Sequence, residues 1–98
     1  MTSQIQQTID ERGKQYGDFD DVAFMSQELK KVALDSNTRL HYRQREAVEM
    51  ICVKLARICA GVDPSYQDNW RDIAGYAVLG GDMKGNVLYA MDQLAELS

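Results

Sequence analysis

Apolar residues recur at steps of three and four along nearly the whole chain, and no segment sustains the apolar/polar alternation of a strand, so the pattern predicts an all-α protein. Ile5 and Ile9 share a face of a short first helix, which Thr2 or Ser3 can cap and Gly13 is placed to end. A second helix fits Asp20 to Leu34, with Val22, Met25, Leu29 and Val32 along one apolar stripe, Glu28 and Lys31 outside it, and Asp20 and Asp21 at its positive end. The polar segment Asp35 to Thr38 is a loop. A third helix starts at Leu40 or Arg43 and ends at Ala60, with Ala47, Met50, Ile51, Leu55 and Ile58 on its core face and Gly61 as its stop. The next helix is capped either by Asp63, with Pro64 in its first turn, or by Ser65, with Asp68 completing a capping box. Its buried face is marked by Tyr66, Trp70, Ile73, Ala74 and Ala77. Gly75 inside it costs about 1 kcal/mol relative to alanine, so it is expected at a close helix contact that compensates. Gly80, Gly81 and Gly85 break the chain again, and Val87, Met91 and Leu94 suit a last helix over 86–97. The expected fold is one compact helical bundle of four to five helices spanning 1–98, with its core in 11–79.

Size qualifies that picture. A chain of 98 residues forms one small domain that leaves much apolar surface uncovered unless subunits associate, so a homo-oligomer is expected. The composition is 45% hydrophobic and 27% charged with a net charge of −4. That describes a soluble protein with no basic field to attract nucleic acid. No apolar run approaches the roughly 20 residues of a membrane span, and the polar first residues contain no signal core, so neither a membrane association nor an export route is expected and the cytoplasm is the expected location. Cys52 and Cys59 are seven apart on one helix, about 10 Å along its axis, and read as buried free thiols. Together with the single His41 they do not make a structural zinc site. His41, near a helix start, reads as a capping or solvent-facing residue rather than part of a nucleophilic triad, and no catalytic residue is assigned.

Three groups of residues carry candidate chemistry. Glu46 and Glu49 lie on one side of the third helix, and like charges that close invite a cation. With Asp72 from the following helix they offer three hard oxygen ligands of the kind Mg²⁺ takes together with substrate phosphates. The structural alternative is a solvated acidic face balanced by Arg43 and Arg45. Lys54 and Arg57 continue the same helix, either offsetting nucleotide phosphate charge or, for Lys54, packing an aliphatic stem with the ammonium in water. In the connection Arg12-Gly13-Lys14-Gln15-Tyr16-Gly17-Asp18-Phe19, Tyr16 can stack a base and Arg12 or Lys14 can meet a phosphate. The same glycines could instead serve as cap and turn, with Tyr16 and Phe19 plugging the core. The spacing is not that of a Walker or dinucleotide loop.

Arg12-Gly13-x-x-Tyr16-Gly17-x-Phe19, Gln44-Arg45-Glu46-Ala47-Val48-Glu49-Met50-Ile51, Lys54-Leu55-Ala56-Arg57-Ile58 and Asp68-x-Trp70-x-Asp72-Ile73-Ala74-Gly75-Tyr76-Ala77 together resemble text found in small phage and prophage proteins of unknown function. The resemblance covers about residues 11–79 and implies a location in the host cytoplasm. A second similarity is to the MazG-like all-α nucleoside triphosphate pyrophosphohydrolases, which carry Glu-Glu-x-x-Glu followed by Glu-x-x-Asp and bind Mg²⁺ in oligomeric bundles. Glu46 and Glu49 match the last two acids of the first pattern and Asp72 the final acid of the second, while Arg45 and Asn69 stand at two positions where that family has carboxylates. These likenesses imply a phage-type accessory protein with a MazG-like core that binds a nucleotide or related phosphorylated metabolite. If it is an enzyme, it is a Mg²⁺-dependent pyrophosphohydrolase with a degenerate motif. The expectation from a different class is an interaction module that binds and inhibits a host protein through its acidic surface, with no small-molecule chemistry.

Overall fold

The computed structural model describes residues 3–36, 39–83 and 92–96, and Gln15 and Tyr16 by their backbone. Its elements are α1 (Gln4–Tyr16), α2 (Phe19–Leu34), α3 (Tyr42–Ala60) and α4 (Gln67–Gly80); residues 92–96 are helical as well. The all-α expectation holds among the described residues. Of the last helix expected over 86–97, only 92–96 falls within them, and positions 37–38 of the expected loop lie outside.

Helix ends follow local chemistry, with two departures from expectation. Ser3 caps α1 as anticipated, its Oγ accepting from the Gln6 N–H at 3.0 Å. The helix then runs through Gly13 to Tyr16, and it is Gly17 that ends it, its N–H donating to the Gly13 carbonyl at 2.9 Å. A glycine inside a helix is a modest cost that the chain can absorb, whereas Gly17 has φ +92° and ψ −171°, a region essentially closed to other residues. Asp18 caps α2 by accepting from the Asp20 N–H at 2.8 Å. His41 caps α3: its Nδ1 accepts from the Arg43 N–H at 3.2 Å, while Gln44 Oε1 accepts from the His41 N–H at 2.9 Å, a reciprocal capping box. Neither Asp63 nor Ser65 caps α4. Tyr66 stands at that position without a side-chain cap, because Asp63 Oδ1 is taken by the Ser65 N–H in a local turn and Trp70 Nε1 holds the Pro64 carbonyl at 2.8 Å.

α2 packs on α3 and α3 on α4, and among the described residues no other pair of elements packs extensively. Small residues make these contacts close. The buried residues are Ser26 and Leu34 on α2, Ala47, Cys52, Lys54, Ala56 and Ile58 on α3, and Asn69 on α4. A Cβ added to Gly80 would lie 2.7 Å from the Ala47 Cβ, so Gly80 is the close-packing glycine, whereas the expected one, Gly75, has nothing within 4 Å of such an atom.

At 3.6 residues per turn, the positions of α3 turned to α2 (Glu49, Cys52, Ala56) and to α4 (Ala47, Lys54, Ile58) are nearly opposite, so the three helices form a flat layer with α3 in the middle. The apolar stripe of α2 points out of one side of that layer. Val22, Met25 and Leu29 are only half-buried, and Val32 is 87% exposed. Val48, Leu55, Ile73 and Trp70 also remain partly exposed, and Phe19 does not plug the core. The opposite side carries Lys31, Glu46, Arg57 and Asp68.

Replacing Gly17 by alanine is expected to lower unfolding free energy by about 1–3 kcal/mol, because its backbone would be strained and its Cβ would sit 2.9 Å from the Gly61 Cα. Gly75→Ala should raise it by up to about 1 kcal/mol. Urea unfolding of both variants checks this pair of opposite signs.

Candidate functional site

One end of the layer gathers residues distant in sequence. The absence of a side chain at Gly17 lets its backbone lie directly against Gly61 and the Ala60 carbonyl, which joins the α1–α2 corner to the C-terminal end of α3. Arg57 stands one turn before that contact, half-buried. Arg12 and Lys14, expected in a connection, lie instead on the last turns of α1, both exposed. Positions 12 and 16 are four apart and share a face of that helix, while position 14 lies on another. The Gly17–Gly61 contact sets the C-terminal end of α1 and the C-terminal end of α3 at the same end of the molecule.

Lys54 and Asp72 do not belong to that end. The Lys54 ammonium lies 2.9 Å from Asp72 Oδ2, with the lysine side chain 11% and the aspartate side chain 47% exposed. The lysine does not snorkel freely into water; it pairs with Asp72 across the α3–α4 contact. A turn earlier on α4 the Asn69 side chain is buried, 2% exposed, with its Oδ1 unpaired. At this depth a carboxylate would carry a desolvated charge, which an amide avoids.

The three expected metal ligands are kept apart. Asp72 stands level with Lys54, which is about 7.5 Å beyond Glu49 and 12 Å beyond Glu46 along α3. Glu49 turns the other way, into a groove of about 380 Å³ between α2 and α3 that Lys30, Lys31, Leu34 and Arg45 also line. There Arg45 Nε approaches Glu49 Oε1 at 3.9 Å, a loose i,i+4 pair worth a few tenths of a kcal/mol. Among the described residues no three His, Cys, Asp or Glu side chains come close enough to hold a metal ion. Glu46, Glu49 and Asp72 thus do not fit a single magnesium within one chain.

A family model described as a domain of unknown function, DUF6378, matches residues 2–84. The chain belongs to the DUF6378 family. No curated protein and no protein of solved structure matches it. The DUF6378 region takes in α1 to α4 and both ends of the Gly17–Gly61 contact.

Sequence reasoning missed the α2–α3 groove of this DUF6378 chain. Its signal was present: Ser26, Lys30 and Leu34 recur at steps of four on α2 and mark the face turned to α3, displaced from the larger apolar stripe. The cysteines, expected to be buried alike, differ. Cys52 is buried and Cys59 exposed. Burial raises the Cys52 thiol above its ordinary value, Lys30 pulls it down and Glu49 pushes it up.

The Lys54–Asp72 pair gives an asymmetric expectation. Asp72→Ala leaves a largely buried ammonium without its partner and should destabilise by about 1–3 kcal/mol. Lys54→Met replaces the charge with an apolar chain of similar length and should stay within about 1 kcal/mol of wild type. Denaturant midpoints of the two variants test the difference.

Proposed function

We propose that this DUF6378 chain is a binding protein for a nucleotide or related phosphorylated metabolite, held at the end of the layer where α1 and α2 meet α3. The Gly17–Gly61 backbone contact carries the reading. It joins the ends of α1 and α3, the stretches of chain that carry Arg12, Tyr16 and Arg57, and guanidiniums suited to bidentate phosphate recognition with a ring suited to stacking are the groups such a ligand would call on. The contact needs glycine at position 17.

The proposal keeps the phage-type, MazG-like character of the helical core and drops its chemistry. Asp72 is occupied by Lys54 and Glu49 faces the α2–α3 groove, so no hydrolytic step is assigned to them. Binding is by the chain's own cations and aromatic ring, without a metal.

Thermal denaturation with ATP, dATP, GTP and inorganic pyrophosphate tests the reading, since a ligand that favours the native state raises its apparent stability. At least one nucleotide should stabilise the chain equally in EDTA and in Mg²⁺. Arg12→Ala and Tyr16→Ala should each weaken that nucleotide about tenfold, near 1.4 kcal/mol, with unfolding in its absence unchanged. Stabilisation that requires Mg²⁺, or affinity indifferent to both substitutions, would overturn it.

A further inference from the structure

Among the described residues, α1 is the long helix that packs extensively on no other, and every residue from Gln4 to Arg12 is exposed. It is 13 residues long, and a helix that short is marginal in water unless tertiary packing of an apolar face supports it. Thr8 and Gly13 lower its intrinsic propensity further. Such a face is nevertheless present. Ile5 and Ile9 lie one turn apart, 75% and 55% exposed, while Asp10, Glu11 and Lys14 stand away from them around the helix.

We infer that α1 is a hinged strap that closes over the apolar stripe of α2, with Gly17 as its pivot. Three observations select α2 as the surface it covers. The first is reach. Only Gly17 and Asp18 stand between the end of α1 and the start of α2, and helices joined by so short a connection pack naturally as an antiparallel hairpin.

The second is register. A hairpin turning between Gly17 and Asp18 sets level with each other those positions whose numbers add to about 35. Ile9 then comes level with Ser26, between Met25 and Leu29, and Ile5 comes level with Lys30, between Leu29 and Val32. Met25, Leu29 and Val32 belong to the stripe that α3 does not cover, the first two half-buried and Val32 87% exposed. Both isoleucines thus meet apolar positions without any shift of α2.

The third is the pivot itself. Gly17 has φ +92°, and glycine crosses between regions of φ and ψ that other residues cannot share, as a hinge requires. Its contact with Gly61 ties the start of α2 to the end of α3, so α1 swings against a fixed layer. The inference calls on no ligand and is separate from the binding reading.

Amide hydrogen exchange of the full chain, read residue by residue by NMR, tests it. The amides from Ile9 to Gly13 should exchange at least about tenfold more slowly than in an unstructured chain, at a rate independent of protein concentration. Two substitutions separate the faces of α2 without removing a buried group, since Val32 is 87% and Phe24 70% exposed. Val32→Asp should abolish most of the protection in α1, Phe24→Asp on another face should leave it in place, and both should leave the Cys52 to Ala56 amides of α3 protected. Unprotected α1 amides in the unmodified chain, protection that survives Val32→Asp, protection lost in Phe24→Asp, or protection that grows with protein concentration would overturn the inference.

Discussion

Everything in this fold hangs on how closely α3 can approach its two neighbours. Ala47 faces Gly80 with no room for another carbon, and Cys52 and Ala56 present equally short side chains toward α2. Close approach brings backbones together and increases dispersion contact per residue, but it buries little area. Helices joined through small residues on opposite sides of a central helix make a layer, and the larger apolar residues then have only the perpendicular directions left. The shallow interior and the exposed valines both descend from that choice of residue size.

Helical periodicity made the elements legible and left their arrangement open. The span of α2 differs by one residue from the pattern's expectation, and α3 falls between the two expected starts. The stripe of Val22, Met25, Leu29 and Val32 was correctly an apolar face, but periodicity cannot say whether such a face meets its own chain or another surface. The face of α2 that meets α3, through Ser26, Lys30 and Leu34, is less hydrophobic and is hidden by that stronger signal. Gly75 and Gly80 show the same limit: both break helix propensity, and only the partner across the gap distinguishes the one that packs from the one that does not.

The candidate site was legible in its parts. Arg12, Tyr16 and Arg57 were singled out on residue type, and the backbone contact that joins the ends of their two helices, Gly17 against Gly61, is one that no local pattern reveals. Lys54 and Asp72 illustrate the reverse. Assigned to separate phosphate and metal roles, they neutralise each other across the α3–α4 contact, and a pair whose members are eighteen residues apart in the chain carries no signature of spacing. The polar interior formed by Lys54 and Asn69 gives that contact a directional component, which small apolar residues alone would lack.

Because, among the described residues, only α2 with α3 and α3 with α4 pack extensively, the contacts that define the layer connect elements adjacent in the chain. Little loop-closure entropy stands between an unfolded chain and that arrangement, and topologies dominated by local contacts reach their native state on the microsecond-to-millisecond scale. The central helix is the shared participant in both pairings. Neither contact can be completed without α3, so the reciprocal His41–Gln44 cap at its start supports the one helix that both pairings share.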